Sequence, residues 1–483
     1  MSRLIADQAV VIGAGVGGLS AACALAPHVG RVIVLERDAL PAEGPRHRAG
    51  TPQDRHLHVL LGGGERALCE LFPGFGEDLA AAGAVPIRMD LDIRRELPGY
   101  DPFPAHDLGW SVRSMTRPMI EFTVRRRVER LGSVSLRKHC RARGIVATPN
   151  GAAVRAVRCE AADGTGETLQ ADLVVDASGR GGPTLDLLAS IGWQPPEETS
   201  IGVDIGYATA LFAIPGDAPA GWKSVMTLPE APRDGLGGLM FPVEGGRWVV
   251  TLVSAHGGPP PSNGDEFLAR ARQLRTPTLY DAIKGAERLG DVSRFGMPAS
   301  VWRHFERLDD LPRGLIPLGD AICRFNPIYG QGMSVAAQEA RLLRHLVAER
   351  ADAGGDPLAG LAAAFLAGAA ALIETPWATA AVPDLIYPQT RGQRLPGFED
   401  TVRFGRALVR LAARDPAVNE LMVEVRNLLK PHSTYRDPEL ARRVAAVMAE
   451  DQDGKLATAA AFLAAAAAAP NAKRPAFSQG PPR

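Results

Sequence analysis

The chain has 483 residues, 46% hydrophobic and 22% charged, the balance of a folded globular protein of about two or three domains. Its 54 basic and 54 acidic side chains cancel, so no net field draws it to nucleic acid or an anionic membrane. Five scattered cysteines without a CxxC argue against a disulfide framework, a zinc site and a dithiol redox centre, and fit a reducing cytoplasm.

Residues 1–7 contain Arg3 and Asp7 and run straight into an apolar segment, without a signal-peptide core. Residues 9–12 are uniformly apolar, as in a central parallel strand covered on both faces. A Gly-rich turn, a helix over 19–25 and a β-branched strand over 31–35 complete a βαβ unit. Residues 40–56, rich in Pro, Gly, Arg and His, read as a long functional loop. Helices are predicted around 64–72 and 117–131, a strand at 173–175 and a helix at 183–191. Between about 200 and 300, alternation over 209–214, 238–242 and 247–253, with Glu244-Gly245-Gly246 as a hairpin turn, predicts an inserted antiparallel sheet. Residues 315–318 return to a strand before a long helix over 333–350. Beyond 355 the chain reads as mostly helical. The apolar stretch 358–373 starts at Asp356-Pro357 and stops at Glu374 before Pro376, which marks a capped helix of a soluble protein and not a membrane span. A second Ala-rich run, 456–469, precedes a tail from Pro470 that reads as disordered.

Three turns carry the chemistry. Gly13-Ala14-Gly15-Val16-Gly17-Gly18 satisfies GxGxxG between strand and helix, and Glu36 closes the next strand. The glycines permit a tight turn and close approach to a pyrophosphate, which the helix N-terminus attracts. Glu36 can accept hydrogen bonds from both ribose hydroxyls. A Gly-rich turn without ligand is the alternative, and the acid at the strand end favours a dinucleotide. Asp176-Ala177-Ser178-Gly179-Arg180 is either an ordinary β-turn or a second ligand-shaped one. Gly319-Asp320-Ala321 and residues 326–333 form the third feature. An Asp at a strand end can bind a polyol chain, and a Gly-rich helix start can face a heterocycle that becomes negative when reduced. Ligand-shaped turns about 300 residues apart imply a long cofactor. FAD is long enough.

GxGxxG with its acid, DASGR, and GDAxxxxxPxxGxGM together resemble the para-hydroxybenzoate-hydroxylase-type flavoprotein monooxygenases over roughly residues 8–350. The run Thr51-Pro52-Gln53-Asp54-Arg55-His56-Leu57-His58, the PVEGGRWVVTL hairpin and Phe325 to Ser334 are similar to the flavin epoxidases of polyether antibiotic biosynthesis. The resemblance implies an α/β fold: a Rossmann-type FAD-binding domain (1–199 and 305–350), an inserted mainly antiparallel β-sheet substrate domain (200–304), and a helical C-terminal region (351–469) before the tail (470–483). It assigns Gly13, Gly15 and Gly18 to the FAD pyrophosphate and Glu36 to the ribose. Arg48 matches the family's flavin-contacting loop arginine, and Arg117 the arginine that touches the cofactor. Asp176 belongs to the second cofactor turn, Asp320 would hold the ribityl chain, and Pro327, Gly330, Gly332 and Met333 would border the isoalloxazine.

Arg55, His56 and His58 are the candidates for a catalytic part. His-x-His without a third ligand is a poor metal site, so no metal is expected. They are either surface loop residues or, as the resemblance favours, cofactor or substrate contacts that could stabilise reduced flavin or a hydroperoxide. Cys69 and Cys323 read as small packing residues. The resemblance implies a C4a-hydroperoxyflavin passing one oxygen to an apolar substrate, with alkene epoxidation ahead of aromatic hydroxylation because no base for a phenol stands out. NADPH or NADH would supply electrons, directly or through a flavin reductase. The rivals are a polyprenyl reductase and a flavin-binding protein without turnover. A halogenase needs an N-terminal Lys and a WxWxIP segment, whereas the first lysine here is Lys138. Phe212, Met226, Leu239, Phe241 and Trp248 would either wall the substrate pocket or form plain sheet core.

Overall fold

The computed structural model describes residues 3–450; the second Ala-rich run and the tail lie outside the described residues. The apolar first strand, Ala6–Ile12, is the middle of a five-stranded parallel sheet. Its order is Leu315–Pro317, Leu173–Asp176, Ala6–Ile12, Val29–Leu35, Val134–Arg137. The strands lack alternation because both faces are covered. Helices Val16–Leu25 and Gly332–Asp352 share one core with them, together with Ile145, Val157 and Leu169 of an antiparallel meander. That meander (Cys140–Ala147, Val154–Ala161, Gly166–Gln170) and the pair Val85–Asp90 with Asp107–Ser114 were not anticipated from the sequence. In the parallel sheet Ile12 pairs with Asp176 and Asp176 with Pro317. All three motif turns therefore leave the same carboxyl edge, where such sheets bind ligands.

A six-stranded sheet stands beside it: Arg288–Met297, Ile205–Ala213, Arg247–Ala255, Leu236–Val243, Ser224–Thr227 and Ile93–Glu96. All pairings are antiparallel except the last, so the sheet recruits one strand from well before residue 200. Side chains alternate between its faces. Ala208, Ala210, Phe212, Trp248 and Val250 pack outward on Phe267, Ala271, Leu279 and Ile283 of two short helices. Phe212 and Trp248 are thus sheet core and not pocket wall, since register points them away from the parallel sheet. Phe241 and Met226 pack inward with Leu57 and Leu211, and Leu239 shares the register row of Met226 and Thr251.

The helix expected to end at Glu374 continues as Leu361–Leu385, through Pro376 and Pro383. A proline costs a helix one N–H and frees a carbonyl. Two side chains also bond to carbonyls beside Pro376: Thr379 Oγ1 donates to Thr375 O (3.0 Å), and Gln331 Nε2 donates to Pro376 O (3.1 Å). By length and composition this helix could cross a membrane, but Phe365, Leu366, Ala369 and Ile373 lie in the central core. Helices Phe398–Ala412, Pro416–Arg426 and Pro438–Glu450 follow, gathered around Leu408, Met422 and Val444.

Candidate active site

The first turn is built by close packing. Gly13 has φ +101°, and a methyl there would meet Ala177 O at 2.6 Å; a methyl on Gly18 would fall 1.9 Å from Gly13 O. Gly15 differs: its backbone is extended, and the nearest atom to a methyl would be Arg48 Nη2 at 4.0 Å. The space in front of the helix N-terminus is open. Glu36, 5% exposed, accepts from Ala14 N (2.9 Å) and Asp38 N (3.0 Å) and pairs with Arg48 Nη1 at 3.1 Å. Arg48 also meets Glu121 (2.6 Å) and Asp38 (3.1 Å). Burial opposes its charge, yet Glu121, Glu36 and Asp38 raise its pKa further above the ordinary value. These contacts hold Arg48 between Glu36 and Asp38 on one side and the helix residue Glu121 on the other.

Asp176 faces inward. It is fully buried, and its carboxylate is taken up by Ser178 N (3.1 Å), Thr184 N (3.0 Å) and Thr184 Oγ1 (2.6 Å). It fixes the turn that backs Gly13. The turn was read from composition, and the occupancy of its acid was not legible there.

Asp320 follows the strand Leu315–Pro317. Among the described residues its carboxylate accepts no hydrogen bond, and a methyl on Gly332 would lie 3.6 Å from its Oδ1. Burial raises its pKa, against the pull of Arg117, Arg324 and Arg303. The acid stands beside the N-terminus of Gly332–Asp352, whose first N–H groups have no intrahelical partner. The Met333 side chain packs into the core, so only its backbone is available there. Pro327 opens the short helix Pro327–Tyr329, and Gly330 (φ +66°) rests against Val59, 3.5 Å from where its methyl would be. The 51–59 segment and the 327–333 loop are therefore neighbours.

Arg117 begins the helix Arg117–Val128. Its Nη1 lies 3.2 Å from His58 Nε2, and its Nε is buried without a hydrogen-bond partner among the described residues. Burial lowers its pKa, while Glu121 and Asp320 raise it from either side. A buried cation lacking a carboxylate contact is costly unless something anionic joins it. That orphan Nε, the unused carboxylate of Asp320 and the open approach at Gly15 fit the phosphates and polyol chain of FAD.

Arg55 is exposed at the end of the short helix Pro52–Arg55. His56 is buried, with Nδ1 2.8 Å from Thr209 Oγ1 and its ring edge-on to Tyr207 at 4.6 Å. Burial pushes its pKa down to about 4. His58 Nδ1 lies 3.0 Å from His56 O; burial and Arg117 push this ring down to about 3. A proton on Nδ1 facing that carbonyl leaves Nε2 as the acceptor for Arg117. Both histidines line a cavity of about 270 Å³, with Arg46, Arg55, Glu244 and Arg247 on its walls. Glu244 accepts from Thr116 N (2.9 Å) and Thr116 Oγ1 (2.6 Å), so the hairpin of the second sheet caps the Arg117 helix with an anion.

Sequence reasoning missed two acids. Glu339, fully buried, accepts from Gly319 N at 2.6 Å, and burial raises it to about 8. Asp384 accepts from Asn326 Nδ2 (3.0 Å) and Tyr329 OH (2.8 Å), and burial raises it to about 6 against those bonds. Glu339 sits in an apolar helical pattern, and Asp384 follows Pro383. Neither carries a local signal.

A parallel sheet presenting these three turns, beside a six-stranded sheet and a helical C-terminal region, defines the flavoprotein monooxygenase fold. Residues 7–358 match the family described as FAD binding domain, and the chain belongs to it. It is an FAD-dependent oxidoreductase of the para-hydroxybenzoate-hydroxylase-type superfamily. Protein Rv3254 of Mycobacterium tuberculosis (strain ATCC 25618 / H37Rv) is 34% identical over 405 residues, covering 81% of this chain and 82% of that protein. Among solved structures, the flavin-dependent brominase Bmp2 aligns with a TM-score of 0.62 at 16% identity, over 93% of this chain and 100% of the other. A flavoprotein/dehydrogenase from Cytophaga hutchinsonii gives 0.63 at 16%, over 93% and 100%. The OxyS anhydrotetracycline hydroxylase from Streptomyces rimosus gives 0.59 at 18%, over 88% and 76%. At these identities the structures share the fold alone.

Proposed function

We propose that this flavoprotein monooxygenase transfers one oxygen atom to a largely apolar small molecule in secondary metabolism, by alkene epoxidation first and aromatic hydroxylation second. The observation that carries the ranking is the state of the two histidines. With pKa values near 4 and 3, His56 and His58 are weak bases, and His58 Nε2 is already engaged by Arg117. A phenol gains from a base that removes its proton, whereas an alkene needs none. The inner sheet face supports an apolar substrate, because Tyr207, Leu211, Phe241 and Phe295 are directed there.

Bound FAD supplies the redox chemistry and the activation of dioxygen. The chain's own part is to hold the cofactor with Glu36, Asp320 and the open N-terminus at Gly15, and to set the Arg117 cation near Asp320. In this reading NADPH or NADH is the electron donor, directly or through a flavin reductase, and the protein works in the cytoplasm. The division into 1–199 with 305–350, 200–304 and a helical region from 351 belongs to the same reading, with strand Ile93–Glu96 added to the insert's sheet.

The test is turnover under ¹⁸O₂ with a panel of polyenes and phenols. Label in an epoxide supports the first choice, and label found only in a phenol reverses the ranking. Unlabelled, reduced product would replace the reading with a polyprenyl reductase. A yellow protein that consumes neither NAD(P)H nor O₂ with any substrate would leave a flavin-binding protein without turnover.

A further inference from the structure

The matched FAD-binding segment ends at residue 358, yet the loop assigned to the flavin ring is held from beyond it. Asn326 Nδ2 reaches both oxygens of Asp384, at 3.0 and 3.2 Å, and Tyr329 OH donates to the same carboxylate at 2.8 Å. Two residues further on, Gln331 Nε2 donates to Pro376 O (3.1 Å) and Thr379 Oγ1 (2.9 Å). Three side chains from one six-residue stretch thus end on one helix, Leu361–Leu385. Asn326, Gln331 and Asp384 are each less than 8% exposed. A loop with Pro327 and a positive-φ Gly330 at its centre makes few backbone bonds of its own: Tyr329 N to Asn326 O and Gly330 N to Pro327 O. Its position is set by what grips its side chains.

We propose that Asp384 is a positioning residue of the FAD site, clamping the 326–331 loop through Asn326 and Tyr329 so that the C-terminal helix completes a site begun by the FAD-binding segment. This rests on the reading that Pro327 and Gly330 border the flavin ring. Pro383 stands immediately before Asp384 and Pro376 supplies the second anchor, so the two prolines of the helix coincide with its two grips on the loop. Hydrogen bonds to a charged acceptor are the strong kind, and removing a buried acceptor leaves two donors unmade.

The test uses the full-length chain stripped of FAD and titrated with it, reading the dissociation constant and the visible spectrum of the bound flavin. Asp384→Ala is expected to weaken FAD roughly tenfold and to shift the flavin bands. Asp384→Asn, which keeps an acceptor in place, should recover most of both. Tyr329→Phe should give a smaller effect that vanishes in the Asp384→Ala background, because the two groups share one bond. Should Asp384→Ala fail to fold, Asp384→Asn and Tyr329→Phe, singly and combined, make the same comparison. Wild-type affinity and spectrum in Asp384→Ala, or additive effects in the cycle, would overturn the proposal while leaving the monooxygenase reading intact. A wild-type chain that binds no FAD would overturn both.

Discussion

Arg117 Nη1 donates to His58 Nε2 across 3.2 Å, a bond that exists only while the imidazole is neutral. The ring's folded pKa of about 3 lies far below its ordinary 6.5, through burial and the adjacent guanidinium. Between those values the unfolded chain holds a proton that the folded chain does not. The stabilisation is complete above about pH 6.5 and is lost progressively as pH falls toward 3. His58→Gln keeps an acceptor for Arg117 and removes the titration. The FAD-free variant should therefore lose less Tm than the wild type on going from about pH 7 to 5. Equal slopes in the two thermal-melt series would remove the pairing.

Glu339 has the opposite sign. Burial raises its carboxyl to about 8, well above the ordinary 4.5, so its contribution is present below about 4.5 and lost as pH rises through 8. Glu339→Gln preserves an acceptor for Gly319 N and replaces a buried carboxyl that titrates. The variant should bind FAD and show a flatter stability profile between about pH 5 and 8 than the wild type. Glu339→Ala, which frees the Gly319 turn, should weaken FAD. The measurements are urea melts across pH and FAD titration.

Glu36→Ala should weaken FAD by roughly 1–3 kcal/mol through lost charge-assisted hydrogen bonds. It also releases Ala14 N and Arg48, but Arg48 keeps Glu121 and Asp38, so the fold should persist. Asp320→Ala removes a carboxylate that accepts no hydrogen bond among the described residues and should purify as largely apo protein. The ratio of flavin to protein absorbance checks both. A fully yellow Asp320→Ala, or unchanged affinity in Glu36→Ala, would take that residue out of the site.

How much of this was legible follows from where each contact lies along the chain. The βαβ unit was readable because strand, Gly-rich turn, helix and Glu36 lie within thirty-one residues, from Ala6 to Glu36, and each leaves a local mark. The turns that carry Asp320 and Gly330 were readable for the same reason. The Asp384 clamp was not, because its partners lie 55 and 58 residues away. Pro376 was read as a stop, which is its ordinary meaning; the helix runs through it with Ile373 and Ala380 buried on either side, a packing that a local reading does not contain. Alternation placed Leu211 and Phe212 on opposite faces, but only the register between strands says which face looks at the parallel sheet. Asp176 illustrates the converse. Its turn was found, and its carboxylate serves the turn itself.

The glycines of the first turn separate fold from ligand. A methyl on Gly18 would fall 1.9 Å from Gly13 O, a backbone atom that can move only by opening the turn. Gly18→Ala should cost about 3 kcal/mol or more, or fail to accumulate as folded protein. Gly15 is the helix N-cap with φ −74°, a conformation alanine adopts, and the nearest atom to a new methyl is 4.0 Å away. Gly15→Ala should therefore cost the FAD-free protein only about 1 kcal/mol, the loss of a good N-cap residue. The same methyl stands where a pyrophosphate must approach the helix N-terminus, so FAD affinity should fall at least about tenfold. Urea melts of the FAD-free variants beside FAD titrations give both quantities. A Gly15→Ala protein that keeps wild-type FAD affinity would move the phosphates away from this helix, whatever its stability.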